Sequence, residues 1–97
     1  MNMEELTEGR IVHYVLEEGR NKGHVRPAIV VRVWRVIMEG GLQRPPDNGC
    51  CQLQVFTDGS NDDLPEIMWK TSVLYDPDAA GCWHYPNRAP VRPAKAP

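Results

Sequence analysis

A chain of 97 residues has room for one domain and one compact core, because a body of this size buries about 60–68% of the surface its unfolded form exposes. The formal charge of −2 is unevenly placed: residues 1–86 carry 8 Lys/Arg against 13 Asp/Glu, while residues 87–97 carry Arg88, Arg92 and Lys95 and no acid. So acidic a body excludes general binding to a nucleic acid backbone, and any anionic ligand has to be small and held by local cations.

The amino terminus, Met1-Asn2-Met3-Glu4-Glu5, is acidic and gives no signal peptide. No apolar run approaches the roughly 18 residues of a membrane span, so no membrane partner is expected and a reducing cytoplasm is the expected address. The one helical signal is a turn at Asn2 to Leu6. Residues 10–16 then read as a strand, followed by a polar Gly/Lys-rich break and a second strand over residues 27–38, long enough to bend. In that second strand Ile29, Val31 and Val33 share one face, and Val30, Arg32 and Trp34 the other.

Gly40-Gly41 and residues 44–49 make a breaker-rich loop. A third strand covers residues 51–57 with Leu53 and Val55 inward and Gln52 and Gln54 outward, and a polar turn follows over residues 58–63. Residues 67–75 form a fourth strand, and residues 81–85 a short fifth after the Asp76-Pro77-Asp78 turn. This pattern predicts an all-β fold, a small SH3-like half-open barrel of about five strands, with an OB-like barrel or a small sandwich as alternatives. The barrel domain spans residues 1–86. The basic tail over residues 87–97 has three prolines, cannot pair in a central strand, and is expected to be disordered or extended.

Cys50, Cys51 and Cys82 are odd in number and lack a second Cys-x-x-Cys or His pair, so no metal site and no cofactor are expected. Cys51 falls in a strand pattern and reads as a buried apolar residue. His24 and Arg26 stand where the first loop re-enters the sheet; alternation sends both to one side, where they can grip one phosphate together. The plainer role for Arg26 is an ion pair with one of the acids. Thr57, Asp58 and Asn61 offer donors and acceptors to ribose hydroxyls or a base edge, although Asp-Gly and Asn-Asp are also ordinary turn chemistry. The spacing of Asp58, Asp62 and Asp63 does not fit a calcium loop.

Trp69 and Thr71 complete a rim with Arg26 and the Thr57 turn, and Trp34 and Trp69 also read as core or interface packing. Alternation exposes Phe56 for stacking or for contact with another subunit. Trp83 and His84 either close the barrel or form one wall of a pocket against Arg26, and His13 reads as a surface or satisfied histidine. No nucleophile elbow, glycine-rich phosphate loop or metal-spaced Glu/His pair is present, so no catalytic residue is assigned. A His24/Arg26/Thr57/His84 cluster is the arrangement that could support metal-free phosphodiester cleavage.

The Gly-x-Ile-Val motif at residues 9–12, a Gly-containing loop and Arg26-Pro27-Ala28-Ile29-Val30-Val31 together resemble the opening of PemK/MazF-type toxins. That resemblance covers residues 9–34 and implies an SH3-like barrel that cleaves single-stranded RNA, with Arg26 and Thr57 in the catalytic roles. Beyond residue 34 the family's continuation is missing, and Asp58, Asp62 and Asp63 crowd Thr57 with charge that repels RNA. Across residues 9–85 the chain is similar to small uncharacterised proteins of tailed phages and prophages. They share Gly-Arg-Ile-Val-His-Tyr-Val-Leu, Arg-Pro-Ala-Ile-Val-Val-Arg-Val-Trp, Leu-Gln-Val-Phe-Thr-Asp-Gly-Ser-Asn-Asp, Trp-Lys-Thr-Ser-Val and Gly-x-Trp-His. This second resemblance implies a phage accessory protein, many of which antagonise host defences by capturing a nucleotide signal or blocking an effector.

The expected function is therefore a phage-encoded, non-enzymatic protein that sequesters a nucleotide-type anion without turnover. Its expected ligand-binding set is His24, Arg26, Thr57, Asp58, Asn61, Trp69, Thr71, Trp83 and His84. Exposed aromatic and β-branched strand in so small a body predicts a homo-oligomer, paired at a strand edge or over Trp34 and Phe56. The alternatives are a protein-binding inhibitor of a host defence effector that uses its acidic face as a nucleic acid mimic, a virion or morphogenesis component, and a metal-free endoribonuclease.

Overall fold

The computed structural model describes residues 3–86, so the reading of residues 87–97 as a separate tail lies outside the described residues. Seven strands run in chain order: β1 Ile11–Val15, β2 Val25–Val33, β3 Val36–Ile37, β4 Gln43–Arg44, β5 Cys51–Phe56, β6 Ile67–Val73 and β7 Trp83–His84. Five of them form one antiparallel sheet in the order β6-β5-β2-β1-β7, and β3 and β4 make a separate hairpin. The expected turn at the amino terminus is a short 3-10 turn over Met3–Glu5.

The sheet curls until its ends meet. Tyr75, two residues beyond β6, bridges Trp83 in β7, with the Trp83 N–H donating to the Leu74 carbonyl at 3.0 Å and the Asp76 N–H donating to the Trp83 carbonyl at 3.0 Å. Five antiparallel strands in the order β6-β5-β2-β1-β7, closed by one bridge, make an SH3-like half-open barrel. Gly49 makes the seam close. Its φ of +73° is the left-handed region, and a Cβ there would lie 2.7 Å from the Tyr75 Cβ, so only glycine lets the seam residues approach. The indole N–H of buried Trp83 donates to the Gly49 carbonyl at 2.8 Å, which satisfies the one polar atom that the ring takes into the core.

Period-2 alternation holds in β5, where Cys51, Leu53 and Val55 are fully buried and Gln52 and Gln54 face outward. Each such burial is worth about 1.5–3 kcal/mol for a Leu- or Val-sized side chain. Val12, Tyr14, Leu16, Ala28, Val30, Met68, Val73 and Trp83 complete the interior with Leu6.

In β2 alternation fails. Val30 pairs with Leu53 and Arg32 with Gln52, so Val31 is an extra residue, a β-bulge that returns Val33 to the core side. Val31 is exposed and Val33 buried, which corrects the expectation that the two share a face. A second bulge lies across β5, where Thr71 and Ser72 stand between the Lys70 and Val73 pairings, and Ser72 takes a φ of +53°. The Gln52 side chain joins the two irregular points: its Oε1 accepts from the Ser72 N–H at 3.0 Å and the Trp34 indole at 3.2 Å.

The strand expected over residues 27–38 is two elements. The chain leaves the sheet after Val33 and reverses through the β3–β4 hairpin, whose Val36, Ile37, Met38 and Leu42 are all exposed. The fourth and fifth strands are also shorter than expected, ending at Val73 and confined to Trp83–His84.

Candidate functional site

The expected ligand-binding residues do not form one rim; the fold divides them among five places. Arg26, Thr57, Asp58 and Asn61 gather at the start of β2, but around a buried acid. Asp62 is fully buried, and its carboxylate accepts four hydrogen bonds: Arg26 Nε at 2.7 Å, Arg26 Nη2 at 2.5 Å, Asn21 Nδ2 at 2.9 Å and the Asp58 N–H at 2.8 Å. The Arg26 guanidinium beside it holds this carboxyl well below the usual range, and the same pairing raises Arg26. Arg26 also donates from Nη1 to the Val25 carbonyl at 2.8 Å, so each of its three nitrogens already has an acceptor in the protein.

The neighbouring turn is closed in the same way. Thr57 donates its hydroxyl to the Pro65 carbonyl at 2.6 Å, and Asn61 donates Nδ2 to Asp58 Oδ2 at 2.9 Å. Backbone bonds from Asn61 and Asp62 to the Asp58 carbonyl make the turn itself. The acid that pairs with Arg26 is thus Asp62, 36 residues away in sequence, and the side-chain donors of Arg26, Thr57 and Asn61 are already bonded to acceptors within the protein.

His24 lies before β2 and is exposed, so it does not share an alternating strand face with Arg26 as expected; its backbone closes the loop through bonds with Asn21 and Leu16. Trp83 is fully buried and is a seam residue of the core, not the wall of an open pocket. Thr71 is exposed beside the Ser72 bulge.

Trp69 and His84 belong to the outer face of the sheet. Residues directly opposite in an antiparallel pair point the same way. Registered pairs therefore run Ile11, Ile29, Gln54, Trp69 in one row across β1, β2, β5 and β6. Two residues along each strand, His13 pairs with Pro27 and with His84, and Phe56 pairs with Ile67; carrying the register one residue further sets Pro27 opposite Phe56. The two rows are neighbours, so four strands present an eight-position face in which only His13 and Gln54 are polar. Ile11 is 47% exposed, Ile67 54%, Trp69 50% and Phe56 36%. Trp69 is therefore surface and not core packing. The exposure of Phe56 was readable from alternation alone, whereas the alignment of Trp69 with Ile11 needed the registers.

At one margin of this face the rings of His13 and His84 meet edge to face, 5.6 Å between centroids. Burial, with the His13 ring next in effect, pulls the His84 pKa below the usual imidazole value, against a smaller upward pull from Asp78. No group of three or more His, Cys, Asp or Glu among the described residues is arranged to hold a metal ion. Among the described residues no helix is long and apolar enough to cross a membrane. Burial pushes the Cys51 thiol up to about 12, as suits a core residue.

Fold and surface together define a small all-β barrel with its polar rim internally paired and its outer face apolar. Comparison with protein-family models, with curated proteins and with solved structures returns no match.

Proposed function

We propose that this chain is a non-catalytic binding protein whose target is another protein, seated on the outer face of the sheet. The observation that carries this reading is the pair of adjacent rows containing Ile11, Ile29, Phe56, Ile67 and Trp69. Soluble monomers rarely leave so many large apolar side chains exposed on neighbouring strands, and aromatic residues are enriched among the anchors of protein interfaces. In the setting implied by the resemblance to phage accessory proteins, the target is an effector of host defence.

The ribonuclease alternative draws less support. Arg26 and Thr57 would have to leave Asp62 and the Pro65 carbonyl before either could act on a phosphodiester, at the cost of stranding a buried carboxylate. Capture of a nucleotide at the same rim meets the same obstacle.

The test is to use the purified chain as bait in a bacterial host lysate, identify what it retains, and rebuild the complex from the two purified proteins. Ile67→Lys and Trp69→Asp are expected to weaken the rebuilt complex about a hundredfold each, the scale of losing an interface anchor, with little change in melting temperature. Unchanged affinity in both variants overturns the reading. A wild-type dimer in light scattering that both substitutions dissociate assigns the face to a second copy, the expected homo-oligomer.

A further inference from the structure

A recess of about 290 Å³ lies between the carboxyl-terminal end of β2 and the β3–β4 hairpin, lined by none of the residues of the two apolar rows. Its charges are unequally matched. Arg35 is held by Glu8 through two parallel bonds, Nη1 to Oε2 at 2.7 Å and Nη2 to Oε1 at 2.8 Å, and Glu8 Oε2 also accepts from the Val33 N–H at 3.0 Å. That carboxylate is fully engaged. Arg32, the second guanidinium of the recess, makes no ion pair among the described residues. Its central carbon lies 4.3 Å from the centre of the Trp34 ring, and the ring is itself fixed by its bond to Gln52.

Stacking on an indole occupies the flat side of a guanidinium and leaves its N–H edge directed outward, the edge that matches a carboxylate or phosphate with two bonds. Local charge is therefore +1, and the cation is already oriented before any ligand arrives. Ile37, which is 70% exposed, adds apolar surface to the lining, and Gln43, its partner across the hairpin, adds an amide. The volume of about 290 Å³ lies just below the range of roughly 300–1,000 Å³ for ligand sites, so the recess has room for no more than a single small molecule.

We propose that this recess binds a small, flat organic anion, with its phosphate or carboxylate on the edge of Arg32 and its ring against Ile37. The nucleotide-type anion expected from the sequence thereby has its cation in Arg32, on the far side of the β2 bulge from Arg26. The site stands independently of the protein-binding face, since it shares no residue with it.

The experiment is a titration of the full, uniformly ¹⁵N-labelled chain with adenosine monophosphate, benzoate, adenosine and inorganic phosphate, following the Trp34 indole and Arg32 Nε–H signals. The expected result is saturable shifts of both signals with adenosine monophosphate or benzoate, the two arms separating a phosphate source from a carboxylate source. Adenosine and phosphate alone are expected to bind at least about tenfold more weakly. Arg32→Gln should lower affinity about tenfold or more, the scale of losing charged hydrogen bonds, with the spectrum otherwise retained; Arg20→Gln should not. Arg32→Lys, which keeps charge and loses the fork, should fall between. The proposal is overturned if neither organic anion gives a saturable shift by about 10 mM, a limit corresponding to negligible affinity. Binding within twofold in Arg32→Gln, or adenosine binding as tightly as its monophosphate, also overturns it.

Discussion

Arg26 and Asp62 meet in two parallel hydrogen bonds, of 2.7 and 2.5 Å, across 36 residues of sequence, and tie the start of β2 to the turn that follows β5. The arginine side chain is 19% exposed and the aspartate wholly buried, so the pair spans the boundary between core and solvent. A charge in that position needs its partner, because a buried carboxylate without one keeps the full desolvation penalty.

Arg26→Ala is therefore expected to lower the melting temperature by roughly 10 °C or more, the response of a domain this size to losing one side of a buried pair. Thermal unfolding followed by circular dichroism checks it. The sign of the pH dependence follows from the depressed Asp62 pKa: its contribution is complete above the unfolded-state value of about 3.9 and is lost as pH falls through the folded value. The gap between wild type and variant should be constant above about pH 5 and narrow only below about pH 4. A melting temperature unchanged by the substitution would show that the pair contributes nothing to the fold.

Gly49→Ala is expected to cost about 2–4 kcal/mol, combining the left-handed backbone penalty with overpacking at the seam. The added methyl has no soft neighbour to displace, since it would meet the Tyr75 Cβ at 2.7 Å and the Trp83 ring at 3.0 Å. Urea unfolding measures the loss, and Trp83 fluorescence should shift red if the seam opens. A variant as stable as wild type, with native Trp83 emission, would refute this account of closure.

His84 gives a second pH signature with a different window. Its folded pKa lies below the ordinary histidine value, and its Nδ1 is buried with no hydrogen-bond partner among the described residues. The unfolded chain thus binds the proton more readily, so stability is complete above about pH 6.5 and declines as pH falls below it. Melting temperatures at pH 7.5 and 5.5 should differ by a few degrees, in that direction, and His84→Gln should remove most of the difference. Equal melting temperatures at the two pH values in wild type would contradict the shift.

Much of the barrel was legible because β-branched alternation leaves few choices. Cys51, Leu53 and Val55 were placed inward by period two alone, and the loop re-entry at Arg26-Pro27 begins the longest strand. The hairpin of β3 and β4 is not legible in the sequence, since nothing at Trp34-Arg35 breaks a strand; Gly40-Gly41, both at positive φ, is the available signal for its turn. Bulges at Val31 and at Thr71-Ser72 leave no mark in composition, yet each resets which face later residues occupy. The partner of Arg26 was hidden for another reason. Thirteen acids were available, and choosing Asp62 requires knowing how a loop and a turn far apart in the chain fold against each other. Nothing in the sequence sets Arg32 apart from the other arginines, because its lack of an ion-pair partner among the described residues is a property of space and not of sequence.

The pairing of β1 with β7 joins residues near opposite ends of the described chain, Tyr14 with Trp83. During synthesis, β1 emerges first and must wait for its second neighbour until some seventy residues later, by sequence position. Over that interval Ile11–Val15 presents an unpaired edge beside Tyr14, and the ribosome-bound chain is a sheet with an open side. Contacts of such long sequence separation also make folding slow for a domain this small. The two residues of β7 thus act as a latch in time as well as in space: until they arrive, the nascent chain is open to pairing with its neighbours on the same message.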